Sequence, residues 1–266
     1  MTTLKRRRLG LTHNTHKSAN GYTLYAPQTG NGKVILLDAS GHVHHEWQMS
    51  VRPGRDAVLL PNGNLGYNGS HRTSANLYAP WDIWHGGHFM EATWDGDIVW
   101  EHEDIYHHHD AQWLEDGLIY TVAAEHNGKQ SDIVKQVNRA GETVWEWRAW
   151  EHLSMQRYPI HQCFYDDHWP MINGVHKVDN LVYLSLRVCS GIIAVDMNTD
   201  EIVWELEYPN VAQQHCPTVN DGKLLAFCNG NIRAGVHHSR IVEYDLATKE
   251  LAWSYVDDMP PSFFSP

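Results

Sequence analysis

The chain is short of positive charge, of cysteine and of long apolar runs, and each shortage removes a class of function. Only 20 of its 266 residues are Lys or Arg, against 32 Asp or Glu, for a formal charge of −12. It therefore lacks the basic face with which a nucleic-acid partner's counterions are released. The one basic cluster, KRRR at Lys5 to Arg8, reads as a solvated arm over residues 1–20. No stretch approaches the roughly eighteen apolar residues of a spanning helix, and no apolar signal-peptide core follows the early charges. The chain is expected to be soluble and, as it stands, cytoplasmic. Its four cysteines, Cys163, Cys189, Cys216 and Cys228, show no CxxC spacing, so they read as reduced structural thiols and not as a zinc knuckle or redox pair.

Aromatic and apolar residues are plentiful: 42% of the chain is hydrophobic, with 12 Trp and 12 Tyr, which argues for a folded core and against disorder. These residues recur in a pattern. ASGHVHHEW ending at Trp47, WDGDIVWEHE with Trp100, RAGETVWEW with Trp145, NTDEIVWELE with Trp204 and ATKELAWSYV with Trp253 each join a turn, a β-branched pair and a tryptophan. Spacings of 53, 45, 59 and 49 residues between these tryptophans are those of blade-built β architectures. An apolar hairpin precedes four of the five copies: DAVLLPNGNLGYNG, DAQWLEDGLIYTVAAE, NGVHKVDNLVYLSLR and HCPTVNDGKLLAFCNG. Each such unit predicts four antiparallel strands, one blade of an all-β propeller. Residues 21–266 are expected to form a single domain of four complete blades and an N-terminal half-blade, five or six blades if closed. The inner strands that would complete the first blade are not seen after Trp253.

Aligning the hairpins on their turns places Asp56, Asp110, Asn173 and His215 in one column at the start of each innermost strand, preceded by Arg55, His109, Ile172 and Gln214. Polar groups of successive blades converge at such strand ends on a rigid scaffold, where propeller function resides. Three copies present an acid or its amide and one presents an imidazole. His215 is thus either a rim histidine bonded to a neighbouring carbonyl or a catalytic group.

The segments NGYTLYAPQTGNGKVILLDASGHVHHEW, LLPNGNLGYNG, HHDAQWLEDG, MINGVHKVDNLVYLSLR and QHCPTVNDGKLLAFCNGN, in that order, resemble the arylsulfotransferase family of β-propellers, and the resemblance extends from about Gly21 to about Asp258. The resemblance implies transfer of a sulfuryl group from an aryl sulfate to a phenolic acceptor, with no nucleotide donor and no cofactor, through a histidine sulfated on a ring nitrogen. The family's Gln-His motif falls on Gln214 and His215, making His215 the implied nucleophile. Its His-His-Asp motif falls on His108, His109 and Asp110, with His109 binding or protonating the sulfate. Its His-x-Asn falls on Met171, Ile172 and Asn173, and its strand-ending, sulfate-holding arginine falls on Arg187. His108, Asp110, His168 and Gln214 are expected to line the substrate.

The residue types suit that chemistry. A neutral imidazole is a competent nucleophile near neutral pH, an arginine offers forked donors to paired oxygens, and a second histidine can protonate a departing phenolate. Two departures stand out. Met171 occupies the family's histidine position, where a thioether cannot donate a hydrogen bond, and Cys216 and Cys228 stand where the family usually has Asp. They point to a changed acceptor, a changed reaction or a propeller that has lost activity.

Twenty histidines support a rival reading, a hydrolase or lyase whose transition metal is held by rim histidines, with Asp110, His168 and His215 as ligands and Met171 and Cys216 favouring a softer ion. Against it, no His-Glu-x-x-His or short Cys/His spacing occurs. A third reading is a non-catalytic binding propeller. QRYPIHQCFYDDHWP, Gln156 to Pro170, is the longest insertion between blades and reads equally as a substrate cover or a surface loop.

Overall fold

Short polar side chains set the outer turns. Oδ1 of Asp38 accepts the backbone N–H groups of Ser40 and His42 at 2.8 and 2.9 Å, and Asn138 does the same for Ala140 and Glu142 at 2.9 and 3.0 Å. Asp196 and Asp245 repeat the device in later copies. Such turns bend the chain where a strand ends and return it antiparallel.

A computed structural model of the chain describes residues 14–15, 18–71, 86–161, 168–230 and 238–256. The basic cluster at Lys5 to Arg8, His85, Cys163 and His237 lie outside the described residues. The strands form five antiparallel sheets of propeller-blade type. The first holds β1 (Tyr22–Tyr25), β2 (Lys33–Asp38) and β3 (Val43–Gln48), the second β4 (Pro53–Leu59), β5 (Leu65–Ser70), β6 (Gly87–Ala92) and β7 (Ile98–Glu103). The third is β8 (His107–Leu114), β9 (Gly117–His126), β10 (Lys129–Asn138) and β11 (Thr143–Arg148), followed by the single turn α1 (Ala149–His152). The fourth is β12 (Ile172–Val178), β13 (Leu181–Leu186), β14 (Gly191–Asp196) and β15 (Glu201–Glu207), and the fifth β16 (Gln214–Asn220), β17 (Lys223–Cys228), β18 (Arg240–Asp245) and β19 (Leu251–Tyr255). The expected all-β, blade-built architecture is present, and the N-terminal copy gains β1, a strand that the hairpin pattern does not reveal. Among the described residues no helix is long and apolar enough to cross a membrane.

The chain forms two compact units, one carrying β1–β7 and the other β8–β19. In the second, strands sandwiched between neighbouring blades are apolar on both faces: β13, LVYLSL, is buried from Val182 onward, as expected where sheets pack face to face. Ile119, Val134, Trp147, Leu184 and Ile193 share one core layer, and Tyr183, Ile192, Leu206, Leu224 and Val242 share another. In the first unit Val34, Trp47, Leu65, Tyr67 and Met90 pack together.

Register corrects one alignment. Trp100, Trp145, Trp204 and Trp253 each sit beside the same irregularity, facing Glu91, Gln136, Ala194 and Glu243. In the first copy that place belongs to His45, which faces Leu36, while Trp47 is two residues further along. Side chains two apart share a strand face, so a sequence pattern cannot separate the two registers. Several of these indoles bridge copies: Trp204 Nε1–H donates to the Leu246 carbonyl at 2.8 Å and Trp145 Nε1–H to Asp200 Oδ1 at 2.9 Å. Trp253, by contrast, is half exposed.

Candidate functional site

The innermost strands all begin irregularly. Pairing slips between Pro53 and Ala57 in β4, His107 and Ala111 in β8, Ile172 and Gly174 in β12, and His215 and Thr218 in β16. The column drawn from the sequence falls in or at the edge of these bulges, which aim side chains out of the pleat. His109 (φ 59°) and Cys216 (φ 52°) are left-handed inside them, and Met171 (φ 56°) and Gln213 (φ 48°) are left-handed just before them. Non-glycine residues in that region cost about 1–3 kcal/mol each and gather at functional sites. Asp56 and Arg55 belong to the first unit. All the other site residues lie in the second.

Within the second unit the column residues have different partners. Asp110 Oδ2 accepts the Val175 N–H at 2.9 Å, and Asn173 Nδ2 donates to the Gln214 carbonyl at 2.9 Å. Each thereby ties its inner strand to the next blade. His215 turns within its own blade: its Nδ1–H donates to Asn229 Oδ1 at 2.6 Å. An amide oxygen only accepts, so this bond puts the proton on Nδ1 and the lone pair of the neutral ring on Nε2. A carboxamide partner thus selects the tautomer that a nucleophile needs.

A second group surrounds His109. Its Nδ1 lies 2.7 Å from Nδ1 of His108. His108 Nε2 lies 3.0 Å from Asp132 Oδ1, and His168 Nε2 lies 2.7 Å from the same oxygen. Asp132 Oδ2 accepts the Ile172 N–H at 3.0 Å, and His108, Asp132 and His168 are all fully buried. Burial alone would raise the Asp132 carboxyl, but the His168 and His108 rings outweigh it and hold the group well below the usual carboxylate range. Thr121 pins the bulge by donating its hydroxyl to the His108 carbonyl. Among the described residues these three side chains, with ligand atoms within 4.8 Å of one another, form the group with metal-ligand composition. It includes neither Asp110 nor His215.

Met171 and Arg187 form a further pair. The Arg187 guanidinium donates to the Met171 sulfur at 3.7 Å, and its backbone N–H bonds the Met171 carbonyl at 3.0 Å. Burial lowers the guanidinium below its ordinary value, a group that nonetheless stays charged. Gln214 has its side chain drawn into the blade, where Nε2 donates to Ser185 Oγ at 2.9 Å and the Gly191 carbonyl at 2.8 Å. Ser185 in turn donates to Asn173 Oδ1 at 2.7 Å. Gln214 and Ser185 therefore hold the backbone on which His215 and Asn173 stand.

Asp132 and Asn229 were not found from the sequence. Asp132 had a signal: in SDIVKQVN it shares a strand face with Val134 and Gln136, all buried, so it is a carboxylate on a core face. Asn229 follows Cys228 at the end of β17 and reads as a turn residue. The long insertion divides. Arg157 pairs with Glu205 at 2.5 Å and with Glu207, and Tyr158 donates to Glu205 at 3.0 Å, so its start is strapped to β15 beside a groove of about 530 Å³. Its end brings His168 inward against Gln130 of β10. Residues 162–167 lie outside the described residues.

Among solved structures, a protein of unknown function from Bacteroides caccae is similar at a TM-score of 0.55 and 12% identity, over 88% of this chain and 72% of that one. BamB from Moraxella catarrhalis is similar at a TM-score of 0.45 and 14% identity, over 87% of this chain and 57% of its own. No curated protein matches the sequence. The family model described as Arylsulfotransferase (ASST) matches residues 22–215, a span that begins with β1 and ends on His215. With most of its length covered by that match, the chain belongs to the arylsulfotransferase family.

Proposed function

We propose that the protein moves a sulfuryl group from an aryl sulfate to a phenolic acceptor through a covalent intermediate on His215. Nε2 of His215 attacks sulfur, the sulfur–oxygen bond to the aryl group breaks, and the departing oxygen takes a proton from His109. An acceptor phenol then returns a proton to His109, attacks sulfur and regenerates the imidazole. Arg187 supplies forked donors to the sulfuryl oxygens, and Asn173, with one amide N–H bonded to Gln214, adds its second. The observation that carries this reading is the His215–Asn229 bond of 2.6 Å, which selects the nucleophilic tautomer.

The test is peptide mass mapping after brief incubation with 4-nitrophenyl sulfate, beside a His215→Ala control. A sulfuryl increment on the His215 peptide, absent from the control, is expected. A folded protein that takes up none overturns the proposal. The convergence of His108, Asp132 and His168 favours one second reading, a bound transition metal, and metal analysis of the same sample separates the two.

A further inference from the structure

We propose that Ser185 is a positioning residue for this reaction, acting through Asn173: its hydroxyl fixes which end of the Asn173 amide faces the next blade and leaves the second amide N–H for a sulfuryl oxygen. This role rests on the sulfuryl-transfer reading of the site, in which Asn173 donates to that oxygen. It gives a function to a buried serine to which the family resemblance assigns none.

Donors and acceptors around Ser185 follow from their chemistry. The carbonyls of Gly191 and Leu186, 2.8 and 3.3 Å from the end of the Gln214 side chain, only accept, so the atom facing them is Nε2. Nε2 also lies 2.9 Å from Ser185 Oγ, and the hydroxyl that accepts there has its own proton left to give. Two acceptors are in reach, Asn173 Oδ1 at 2.7 Å and the Gln214 carbonyl at 2.9 Å. The contact to Asn173 is the shorter, and the carbonyl is already served by Asn173 Nδ2 at 2.9 Å. The bonds therefore close a ring. Gln214 Nε2–H donates to Ser185 Oγ, Ser185 O–H to Asn173 Oδ1, and Asn173 Nδ2–H to the Gln214 carbonyl, which belongs to the peptide bond entering His215.

The ring holds the Asn173 amide at both ends. Turning it over would set Oδ1 against the Gln214 carbonyl, two acceptors face to face, and would take the acceptor away from the Ser185 hydroxyl. Asn173 is 2% exposed, yet its second N–H makes no hydrogen bond among the described residues. Buried amide protons are rarely left in that state unless water or a ligand meets them, which suits a donor aimed at developing charge on a sulfuryl oxygen. Ser185 is fully buried in the middle of β13, so it acts on the reaction through Asn173 and not by contact. Without its hydroxyl, Asn173 Oδ1 loses its donor and one end of the amide is released.

Two variants remove this hydrogen bond without touching a reacting group. Ser185→Ala deletes the hydroxyl, and Ser185→Cys keeps the shape but offers only a weak S–H donor. Each should slow single-turnover sulfation of His215 by 4-nitrophenyl sulfate by about 10-fold, less than the ~10²-fold of a fully misplaced group, because Asn173 keeps its bond to the Gln214 carbonyl. Asn173→Ala should slow labelling further, and adding Ser185→Ala to it should cost no more rate. A serine that only packs the blade would lower Tm and leave the labelling rate alone. That result, or losses that multiply in the double variant, overturns the proposal. ¹⁵N-asparagine labelling gives a readout that needs no turnover, with the Asn173 side-chain amide assigned by its absence in Asn173→Ala. Its hydrogen-bonded proton should exchange slowly with solvent in the unaltered protein and faster in Ser185→Ala and Ser185→Cys; equal exchange overturns the proposal as well. If no sulfuryl group is transferred at all, the proposed function falls and this role falls with it. The exchange rates then still show whether Ser185 fixes Asn173, so the two failures are told apart.

Discussion

Nδ1 of His215 and Oδ1 of Asn229 lie 2.6 Å apart across the β16–β17 pair, so the residue that orients the candidate nucleophile comes from the adjacent strand end of the same blade. Replacing Asn229 by Ala removes this bond, which distinguishes the two ring nitrogens. Sulfation of His215 by 4-nitrophenyl sulfate should slow by about 10²-fold, the scale of a misplaced reacting group. Asn229→Asp, which still accepts from Nδ1, should retain more of the rate. Single-turnover labelling read by mass spectrometry checks both.

Asp132 should be costly to neutralise. Weakening the acceptor of the buried hydrogen bonds from His168 and the Ile172 N–H costs about 1–3 kcal/mol, so Asp132→Asn should unfold at lower urea near neutral pH. Its folded carboxyl sits below the ordinary value of 3.8. The stabilisation is therefore complete above that value and is lost as pH falls toward the folded one. The stability gap between the unaltered protein and the variant should narrow below about pH 4. Urea titrations at a series of pH values measure it.

Gly174 marks a close approach between β12 and β16. A Cβ at that position would lie 2.4 Å from Pro217 Cδ and 3.1 Å from Ser185 Cβ. Gly174→Ala should cost about 1–3 kcal/mol by overpacking, lowering Tm. Because Pro217 is in the bulge that follows His215, it should also depress His215 sulfation. A lowered Tm with unchanged labelling would separate the packing from the site.

The thiols differ in exposure. Cys216 is exposed in the β16 bulge, whereas Cys228 is buried and Cys189 lies partly buried behind Trp169 and Tyr158. Burial pushes the Cys189 thiol up to about 12 and raises that of Cys228 too, which suppresses the reactive thiolate. Among these three, iodoacetamide should modify Cys216 first. Modification beside His215 should then block sulfation, and Cys216→Ser should make the protein resistant to that inhibition.

The interblade tryptophans should contribute to stability and not to chemistry. Trp204→Phe removes the 2.8 Å bond to the Leu246 carbonyl while keeping most of the apolar contact. It should cost about 1 kcal/mol and leave labelling of His215 unchanged. Thermal unfolding and mass mapping of one sample test both halves.

Much of this arrangement was written locally. Turn residues such as Asp38, Asn138 and Asp245 end strands through bonds to their own backbone neighbours, and alternation of apolar residues marks which strands are buried. Both act over a few residues, so the blade-like copies and the inner-strand column of Asp56, Asp110, Asn173 and His215 were legible from local pattern alone, whereas Arg187 was reached only through the family resemblance. What the sequence could not decide was register and partnership. His45 and Trp47 share a face, and only pairing with β2 shows which is the counterpart of the other blades' tryptophan. Asp110 and Asn173 occupy the same column as His215, yet they bond the next blade, and His215 bonds Asn229 in its own. The buried meeting of His108, Asp132 and His168 depends on β8, β10 and the end of a long insertion arriving at one place. Carboxylate and imidazole have no reason to be buried until each supplies the other's hydrogen bond, and that condition exists only in the folded protein.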